Sequence, residues 1–440
     1  MSLLARVQER ARLEGAPSRH GLDEEARKRL KRDLVTRLGL QTVASLATQG
    51  DVAQARTELS VALEALCNGG GYDDLTPEER HVLASQVVDE ICGLGPLQPL
   101  LDDDRVTEIM VNGAGALFYE EGGRLHKAER VFENDEQILM VIDRILAPLG
   151  RRLDERSPIV NARLSNGYRV NAVSSALAPD GTAMTIRKFS DALVSLQELV
   201  SLGSLPAWYA QLLAWAVKER CDIAVAGGTG SGKTTLLNAL SHEIGKDERI
   251  VTIEDSCELR FEPGLNLVRL EAREASIEGS GEVTIRDLVK NALRMRPGRI
   301  IVGEVRGSEC IDMLQAMNTG HDGSLTTLHA GTADEAILRL VLMARYGMDL
   351  PAHLIEEQVA TALDLVVMSA RFPDGGRYIT SLHQVDRAPD GTVALAECIS
   401  FDRQARSWTL VQLPSFVERA MADGLLSESE VLAWMSSCSA

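Results

Sequence analysis

Residues 1–75 carry apolar side chains at the spacing of one helix face, set among many arginine, glutamate and alanine residues. Leu30, Leu34, Leu38 and Val43 show this spacing, which is typical of amphipathic helices. We therefore predict two or three helices that end near Asn68, where a run of glycines follows.

A further helix start is visible at Thr76, which is followed by Pro77 and Glu79. Threonine is a good N-cap residue, proline suits the first helical position, and a glutamate at the third position completes a capping box. The helix is predicted to run to about Cys92, because Gly93 and the residues after it interrupt the pattern.

Between residues 100 and 189, short runs of strand-like sequence replace the helical period. The Asn166-Gly167 pair predicts a hairpin turn between two of them. This pattern indicates an α+β domain, followed by a connecting segment with a short helix at Leu193–Leu199. The strands are predicted at Thr107–Asn112, at Leu117–Glu120, within 157–171 and at Ala183–Phe189, and the helix at Asp135–Leu146.

From Ala207 onward, helical segments alternate with short apolar runs, an order that is typical of a parallel sheet covered by helices. The apolar runs lie at residues 223–226, 249–253, 299–302 and 323–328. Near the end of the chain, the pattern predicts two strands at 393–399 and 408–411 and a helical tail at 414–437.

Composition narrows the class of protein mainly by exclusion. The chain has 440 residues, of which 45% are hydrophobic and 25% charged, as expected for a globular protein of two or three domains. No stretch approaches the ~18 apolar residues of a membrane span, and the charged N-terminus lacks a signal-peptide core. We therefore expect a cytoplasmic protein that reaches a membrane only through a partner.

Cysteine spacing and net charge exclude two further kinds of site. The seven cysteines include no C-x-x-C pair, so neither a zinc clamp nor a redox motif is indicated. The formal charge of −18 argues against a broad nucleic-acid-binding surface, which depends on neutralising phosphates. No direct nucleic-acid partner is expected, although a basic pore inside a ring would be compatible with an acidic total.

Residues 227–234 fit the phosphate-binding loop of P-loop NTPases, G-x-x-x-x-G-K-[ST]. An apolar run precedes this loop and a helix start follows it, as the motif requires. Gly227, Gly230 and Gly232 are predicted to allow tight turns in which backbone N–H groups point at phosphates. Lys233 supplies a positive charge, and the Thr234 hydroxyl suits Mg²⁺. The predicted ATP-binding residues are Gly227, Gly228, Thr229, Gly230, Ser231, Gly232, Lys233, Thr234 and Thr235.

Two apolar runs end in carboxylates that suit ATP hydrolysis. Glu304 follows the run at 299–302, and the segment 299–304 has the form of a Walker B element. In that position Glu304 would orient the attacking water or hold Mg²⁺ through water. The run at 249–253 is followed by three acids, Glu254, Asp255 and Glu258. The carboxyl ends of parallel strands meet at one edge of a sheet, so these acids are expected near the same Mg²⁺. A surface glutamate or a solvated acidic turn is the alternative interpretation.

Two histidines flank the run at 323–328. His321 precedes it and His329 follows it, and a neutral histidine near the γ-phosphate can donate a hydrogen bond and register its loss. We predict such a role for His329. For His321, a role and a purely structural place remain equally open.

These segments together resemble the ATPase superfamily of type II and type IV secretion systems. They match its Walker A motif (227–234), Asp box (252–258), Walker B motif (300–304) and His box (320–330). Further segments look like the CpaF/TadA branch, which assembles Flp/Tad-type pili: 93–101, 106–113, 157–163, 168–172, 185–189 and 292–307. The similarity covers about residues 75–385. The tetracysteine zinc module of type II export motors cannot form here.

The resemblance implies a hexameric ring in which ATP lies between an N-terminal domain and a RecA-like domain. It also implies arginines that reach the γ-phosphate, and Arg163, Arg169 and Arg187 lie in the segments that carry them. The alternative interpretation of each arginine is an ordinary position on the surface of a strand. Arg306 is as compatible with an interdomain contact as with phosphate.

The resulting prediction is an α/β protein with a RecA-like P-loop domain on a parallel sheet, preceded by a smaller α+β domain and a helical region. By resemblance, its partners are five further copies of the chain and a polytopic inner-membrane platform protein, with pilins as indirect cargo. The predicted segments are 1–74 (helical), 75–189 (α+β), 190–207 (linker), 208–403 (ATPase) and 404–440 (helical tail).

Two other functions remain open from the sequence. A motor of the same fold would drive DNA conjugation or effector export through a type IV secretion channel. A nucleotide-binding regulator would bind ATP with little turnover, and the presence of Glu304 and the three arginines argues against it.

Overall fold

The computed structural model describes residues 20–48, 52–164, 166–188, 194–273, 275 and 280–438. The chain divides into two compact units, Met1–Lys188 and Phe189–Ala440, and each is described by itself. None of the helices in these described ranges is long and apolar enough to cross a membrane.

The first unit begins with a helical bundle whose core contains the apolar positions predicted from the sequence. Leu30 and Leu34 are fully buried against Leu59, Leu63 and Leu83. The capping box at Thr76 is confirmed by its reciprocal hydrogen bonds with Glu79. The helices of the unit are His20–Leu38, Leu40–Thr48, Val52–Asn68, Pro77–Cys92, Gln98–Asp102 and Asp135–Leu146, with 3-10 turns at Gly95–Leu97 and Ala147–Leu149.

Ion pairs join this bundle to the rest of the first unit. Arg27 contacts Glu90 on helix Pro77–Cys92 and Glu133 beyond the bundle, at 3.1 and 2.7 Å. Arg130 also reaches Glu90, at 3.2 Å. Because the side chains of Arg27 and Glu90 are nearly buried, these pairs fix the bundle against the α+β part of the unit. The division of the chain into five segments that was predicted from the sequence stays a prediction.

The first unit continues with an antiparallel sheet of six strands. Helix Asp135–Leu146 packs its apolar face against this sheet through Ile138, Val141, Ile142 and Ile145. The predicted strands and hairpin turn are confirmed within the described residues, which do not include position 189 at the end of the last predicted strand. Gly167 in the turn has a φ of 91°. In spatial order the strands are Arg124–Lys127, Leu117–Glu121, Val106–Asn112, Ala183–Arg187, Arg169–Val173 and Ile159–Arg163.

The second unit is built on a sheet of nine strands, six parallel and three antiparallel. The predicted α/β class is confirmed: as in a RecA-like domain, the strand before the phosphate loop has parallel strands on both sides. In spatial order the strands are Ser407–Leu410, Val393–Asp402, Arg377–Arg387, Leu365–Arg371, Ile223–Gly227, Leu325–His329, Arg299–Val302, Arg249–Glu254 and Asn266–Glu271.

Helices cover both faces of this sheet, and two apolar clusters lie between sheet and helices. The helices are Leu196–Ser201, Ala207–Lys218, Lys233–Ser241, Ile285–Ala292, Glu309–Met317, Ala333–Gly347, Ala352–Ala362, Phe416–Ala422 and Glu428–Ser437. Of the helix predicted at Leu193–Leu199, residue 193 lies outside the described residues, and the observed helix runs from Leu196 to Ser201.

The C-terminal helices pack onto the second unit along one face. Val431 and Trp434 are buried, and the indole N–H of Trp434 donates to the Trp208 carbonyl at 2.7 Å. The Trp434 ring also lies 5.4 Å from that of Trp215. The predicted helical tail is therefore part of the hydrophobic core, while its acidic residues lie on the exposed side.

Candidate active site

The phosphate loop, residues 227–234, joins the buried strand Ile223–Gly227 to helix Lys233–Ser241. Gly230 and Gly232 have φ angles of 68° and 95°. Glycine adopts this left-handed region without steric cost, so these two positions have the conformations that the motif predicts. The loop lies at the carboxyl end of a parallel strand, where ligands bind in open α/β sheets.

Gly227 is required for a different reason from its neighbours, because its backbone approaches strand Leu365–Arg371 closely. A Cβ atom at Gly227 would lie 2.3 Å from the Ser369 carbonyl oxygen and 2.5 Å from Ser231 Oγ. The two serine hydroxyls are themselves hydrogen-bonded at 2.8 Å. The sequence predicted a turn glycine here, whereas the structure shows a packing constraint.

Lys233 begins the helix after the loop and is largely buried. Its amine donates to the Gly228 carbonyl at 3.0 Å and lies 3.4 Å from His329 Nδ1. Thr234 and Thr235 follow in the first turn, half-buried and exposed respectively. The positive charge and the hydroxyl groups are therefore placed around the same loop.

Glu304 lies two residues after strand Arg299–Val302, between two basic side chains. Arg306 donates to its Oε2 at 2.7 Å, and His329 Nε2 lies 2.9 Å from its Oε1. Burial, followed by the nearby charge of Lys233, lowers the pKa of His329, so its ring is neutral at neutral pH. His329 therefore links the lysine of the phosphate loop to the carboxylate of the Walker B segment.

Glu254 ends the adjacent parallel strand and is almost completely buried. Its Oε1 accepts hydrogen bonds from the backbone N–H groups of Glu258 and Leu259, at 2.9 and 3.0 Å. Burial raises its pKa to about 7. Its Oε2 is buried and has no hydrogen-bond partner among the described residues. A buried oxygen of this kind suits a cation or a water molecule as partner.

Two of the predicted acids have contacts that the sequence did not specify. Glu258 contacts Glu254 through its backbone N–H. Asp255 lies 3.4 Å from Arg306 Nη1, the arginine that also holds Glu304. The Asp box and the Walker B segment are therefore connected through a single guanidinium group.

His321 is separated from this cluster by the length of a strand. Its Nδ1 lies 3.2 Å from the Ala316 carbonyl oxygen, before strand Leu325–His329 begins. His329 is at the other end of that strand, beside Lys233. Of the two interpretations of His321, the geometry favours the structural one.

The three predicted arginines lie in the first unit, in one row across neighbouring strands. Arg163 is paired in register with Arg169, and Arg169 with Arg187. Glu108 continues the row on the next strand, 3.9 Å from Arg187. Like charges directly opposite one another destabilise a sheet, so this arrangement favours an anionic ligand on that face. Their roles at phosphate stay predictions.

Two further arginines were not identified from the sequence. Arg377 donates from Nε to the Gly230 carbonyl at 2.9 Å, and Arg371 Nη1 lies 3.2 Å from where a Cβ of Gly230 would be. The turn signal Asp374-Gly375-Gly376 predicts a hairpin between them. Nothing in the local pattern places that hairpin beside the phosphate loop.

The residues of this site fit a magnesium–nucleotide complex. Mg²⁺ usually keeps several waters and takes its remaining ligands from one or two carboxylates and substrate phosphates. The Thr234 hydroxyl and the Glu304 carboxylate, the latter through water, would hold the metal, and the buried Oε2 of Glu254 would support them. Among the described residues, no group of three or more His, Cys, Asp or Glu side chains forms a metal cage on its own.

Comparison with known proteins gives consistent matches. Residues 90–386 match the family model described as Type II/IV secretion system protein. A putative conjugal transfer protein of Mycobacterium tuberculosis is 37% identical over 71% of this chain and 90% of its own length. The type IV secretion system protein PtlH of Bordetella pertussis is 35% identical over 63% of this chain and 89% of its own length.

Among solved structures, the chain is similar to the VirB11 ATPase from the Brucella suis type IV secretion system, crystallised in complex with sulphate. The two are 31% identical, with a TM-score of 0.37, over 66% of this chain and 92% of that chain.

Proposed function

The chain belongs to the Type II/IV secretion system protein family, and on that premise we propose that it hydrolyses ATP to ADP and phosphate in the presence of Mg²⁺ and drives a secretion or pilus-assembly machine. The observation that carries this proposal is the contact series Lys233–His329–Glu304. It connects the group that would bind the β- and γ-phosphates with the carboxylate that would act on water.

In this proposal, the residues of the second unit bind the nucleotide, hold the metal and activate water. Lys233 binds the β- and γ-phosphates, and Thr234 holds the metal together with Glu304 through water. Mg²⁺, when bound, neutralises charge on the phosphates. Glu304 orients the attacking water and accepts its proton, while Glu254 and Glu258 support it. His329 is half-buried between Lys233 and Glu304. When nucleotide binds, the single N–H of its neutral ring would turn from Glu304 to donate a hydrogen bond toward the γ-phosphate, and it would respond when that phosphate leaves.

We further propose that the arginine row of the first unit completes the reaction. Arg163, Arg169 and Arg187 would contact the γ-phosphate when the units approach each other in a homo-hexameric ring. An arginine that stabilises the transition state contributes about 10³–10⁵ in rate. Hydrolysis would then release this contact, and the rigid-body movement would perform the work.

Replacement of Glu304 by glutamine tests this function. The variant should bind MgATP as tightly as the wild type but release phosphate at least ~10²-fold more slowly, because a general base contributes that much. Phosphate release is measured on size-exclusion fractions. Lys233→Ala serves as the variant that loses binding, and Glu262→Gln, at an exposed surface ion pair, as the matched neutral control.

The outcomes of this experiment separate the alternatives. Activity confined to a hexamer-sized peak and lost in Glu304→Gln supports the ring motor. Wild-type protein that binds ATP without turnover supports a nucleotide-binding regulator. Full activity in a monomer argues against arginines acting between subunits, and full activity in Glu304→Gln removes Glu304 from the mechanism.

For cargo, we propose assembly of a Flp/Tad-type pilus through a polytopic inner-membrane platform protein, with the motor on the cytoplasmic side. The support is the motif series over residues 93–307. Binding of the purified motor to a detergent-solubilised platform protein, with turnover raised in the complex, is the expected result.

A second candidate, export of DNA or effectors through a type IV channel, is favoured by the relatives named for conjugal transfer and type IV secretion. It predicts turnover that rises with a coupling protein or with DNA, and no response to a platform protein. The same phosphate-release assay with each addition distinguishes the two cargoes.

A further inference from the structure

A tight hairpin in the second unit lies over the phosphate loop. Its tip, residues 371–377, joins strand Leu365–Arg371 to strand Arg377–Arg387. The turn is closed by backbone hydrogen bonds between Phe372 and Gly376 and between Gly375 and Phe372, at 2.8 and 2.9 Å. The hairpin tip therefore has a defined conformation, with one arginine at each end.

Both of these arginines are directed at the same part of the phosphate loop. Arg377 donates from Nε to the Gly230 carbonyl at 2.9 Å, and its Cδ lies 3.6 Å from where a Cβ of Gly232 would be. Arg371 Nη1 lies 3.2 Å from where a Cβ of Gly230 would be. Lys233 and two guanidinium groups therefore all lie close to this loop.

The two arginines are also direct partners in the strand register, an arrangement that costs free energy for like charges. The acidic residue of the turn, Asp374, is engaged elsewhere. Arg406 donates to it, and this hydrogen bond holds the pKa of Asp374 below its ordinary value. A ligand with several negative charges at the loop would interact favourably with both guanidinium groups.

Aromatic side chains from the C-terminal strands hold the hairpin in place. The ring of Tyr378, the residue after the tip, stacks on Phe401 with centroids 5.4 Å apart, and Phe401 lies 4.8 Å from Trp408. The Trp408 indole donates to the Ile379 carbonyl at 2.6 Å. Because these contacts fix the base of the hairpin, the arginines are positioned before any ligand binds.

The hairpin tip and the phosphate loop form two walls of one cavity of about 210 Å³. A third wall comes from the buried Leu199 and the exposed Leu202. The phosphate loop and its helix contribute Ser231, Gly232 and Thr235, and the hairpin contributes Arg377 and Tyr378. The cavity is polar beside the phosphate loop and partly apolar beyond it, which suits a phosphate chain attached to a nucleoside.

We propose that Arg371 and Arg377 form a second phosphate-binding element from the same subunit, which contacts the phosphate chain of the nucleotide beside the phosphate loop. The proposal rests on ATP binding as proposed above and adds two binding residues to that site. It differs from the arginine row of the first unit, because these side chains are held at the loop by their own hairpin.

The test compares Arg371→Ala, Arg377→Ala and Arg377→Lys with Arg387→Ala, an arginine at the far end of the same strand. Binding of MgADP is measured by calorimetry at low and at high salt. Each alanine at the tip should weaken binding about tenfold at low salt, because it removes one charge-assisted hydrogen bond to the phosphate chain. This loss should shrink at high salt, where charge interactions are screened.

Lysine at position 377 should restore most of the binding, and Arg387→Ala should bind like the wild type. The tryptophan fluorescence of the protein, to which Trp408 at the hairpin base contributes, verifies that each variant keeps this part folded. Unchanged affinity in both alanine variants overturns the proposal, and so does a loss that is equal at both salt concentrations, which would indicate a structural clasp. Wild-type protein that does not bind MgADP at all would instead remove the proposed ATPase function.

Discussion

The buried charge of Arg299 gives a sharp prediction about stability. Its side chain is 1% exposed and lies in the second unit, at the start of the Walker B strand. Its guanidinium donates to both carboxylate oxygens of Glu248, at 2.8 and 2.9 Å, and to the carbonyls of Val217 and Gly323. The Arg299 guanidinium therefore makes hydrogen bonds to three separate segments of the chain, which contain Val217, Glu248 and Gly323.

We predict that Glu248→Gln lowers the free energy of unfolding of the second unit by about 3 kcal/mol. Removal of one partner from a buried ion pair costs ~3–5 kcal/mol, because the other charge is left without compensation. The lower end applies here, since the Glu248 side chain is 17% exposed and the glutamine amide still accepts one hydrogen bond. A domain has only ~5–15 kcal/mol of stability in total.

Urea denaturation followed by tryptophan fluorescence measures this loss. Every tryptophan of the chain lies in the second unit, so the signal reports the unit that contains Arg299; the residues are Trp208, Trp215, Trp408 and Trp434. The denaturation slope must stay constant between variants for the midpoint shift to represent stability. Phosphate release per folded molecule should remain close to that of the wild type.

An exposed ion pair provides the matched control. Lys246 and Glu262 lie 3.0 Å apart, a distance similar to that of the buried pair, but their side chains are 81% and 58% exposed. Exposed pairs contribute ~0–1 kcal/mol, so Glu262→Gln should change stability little. If Glu248→Gln costs no more than this control, the reasoning from burial is refuted.

Three further predictions use the same denaturation assay. Gly227→Ala should cost about 2 kcal/mol or more, because its Cβ would lie 2.3 Å from the Ser369 carbonyl oxygen and overpacking costs ~1–3 kcal/mol; unchanged stability would contradict this packing. Burial raises the pKa of Asp222 to about 8, against about 3.9 in the unfolded chain, so the folded state binds the proton more tightly and stability falls as the pH rises from about 4 to about 8. Asp222→Asn should abolish that fall and be the more stable protein at about pH 9 but not at about pH 4, and parallel curves for the two proteins would count against the shift. Trp434→Ala should cost ~3–5 kcal/mol, because the ring is buried and its N–H donates to the Trp208 carbonyl; a loss below about 1 kcal/mol would mean that the tail is only loosely attached.

Features that depend only on neighbouring residues could be predicted from the amino-acid sequence. The capping box at Thr76 and the left-handed glycines 230 and 232 follow from local backbone chemistry, which acts over a few positions. The alternation of apolar runs and helices likewise predicted the parallel sheet, since each element must bury its apolar face. These predictions needed no knowledge of distant residues.

By contrast, the contacts between chemically suitable residues from distant segments depend on how the chain folds. His321 and His329 were both suitable from the sequence, and the strand between them puts His329 alone beside Lys233. Arg377 reaches Gly230 across 147 positions of sequence. Contacts of this range depend on the order and register of strands, which local patterns of apolar and polar residues do not encode.

The same reason explains the misjudged role of Gly227 and the buried Arg299. Gly227 belongs to a motif, yet its constraint comes from Ser369 on the neighbouring strand. Arg299 is charged and stands at a strand end, where the sequence gives no sign of burial, but four acceptors from Val217, Glu248 and Gly323 surround it. Sequence determines what each segment can do, whereas the free energy of packing distant segments together decides which groups are buried, paired and placed to react.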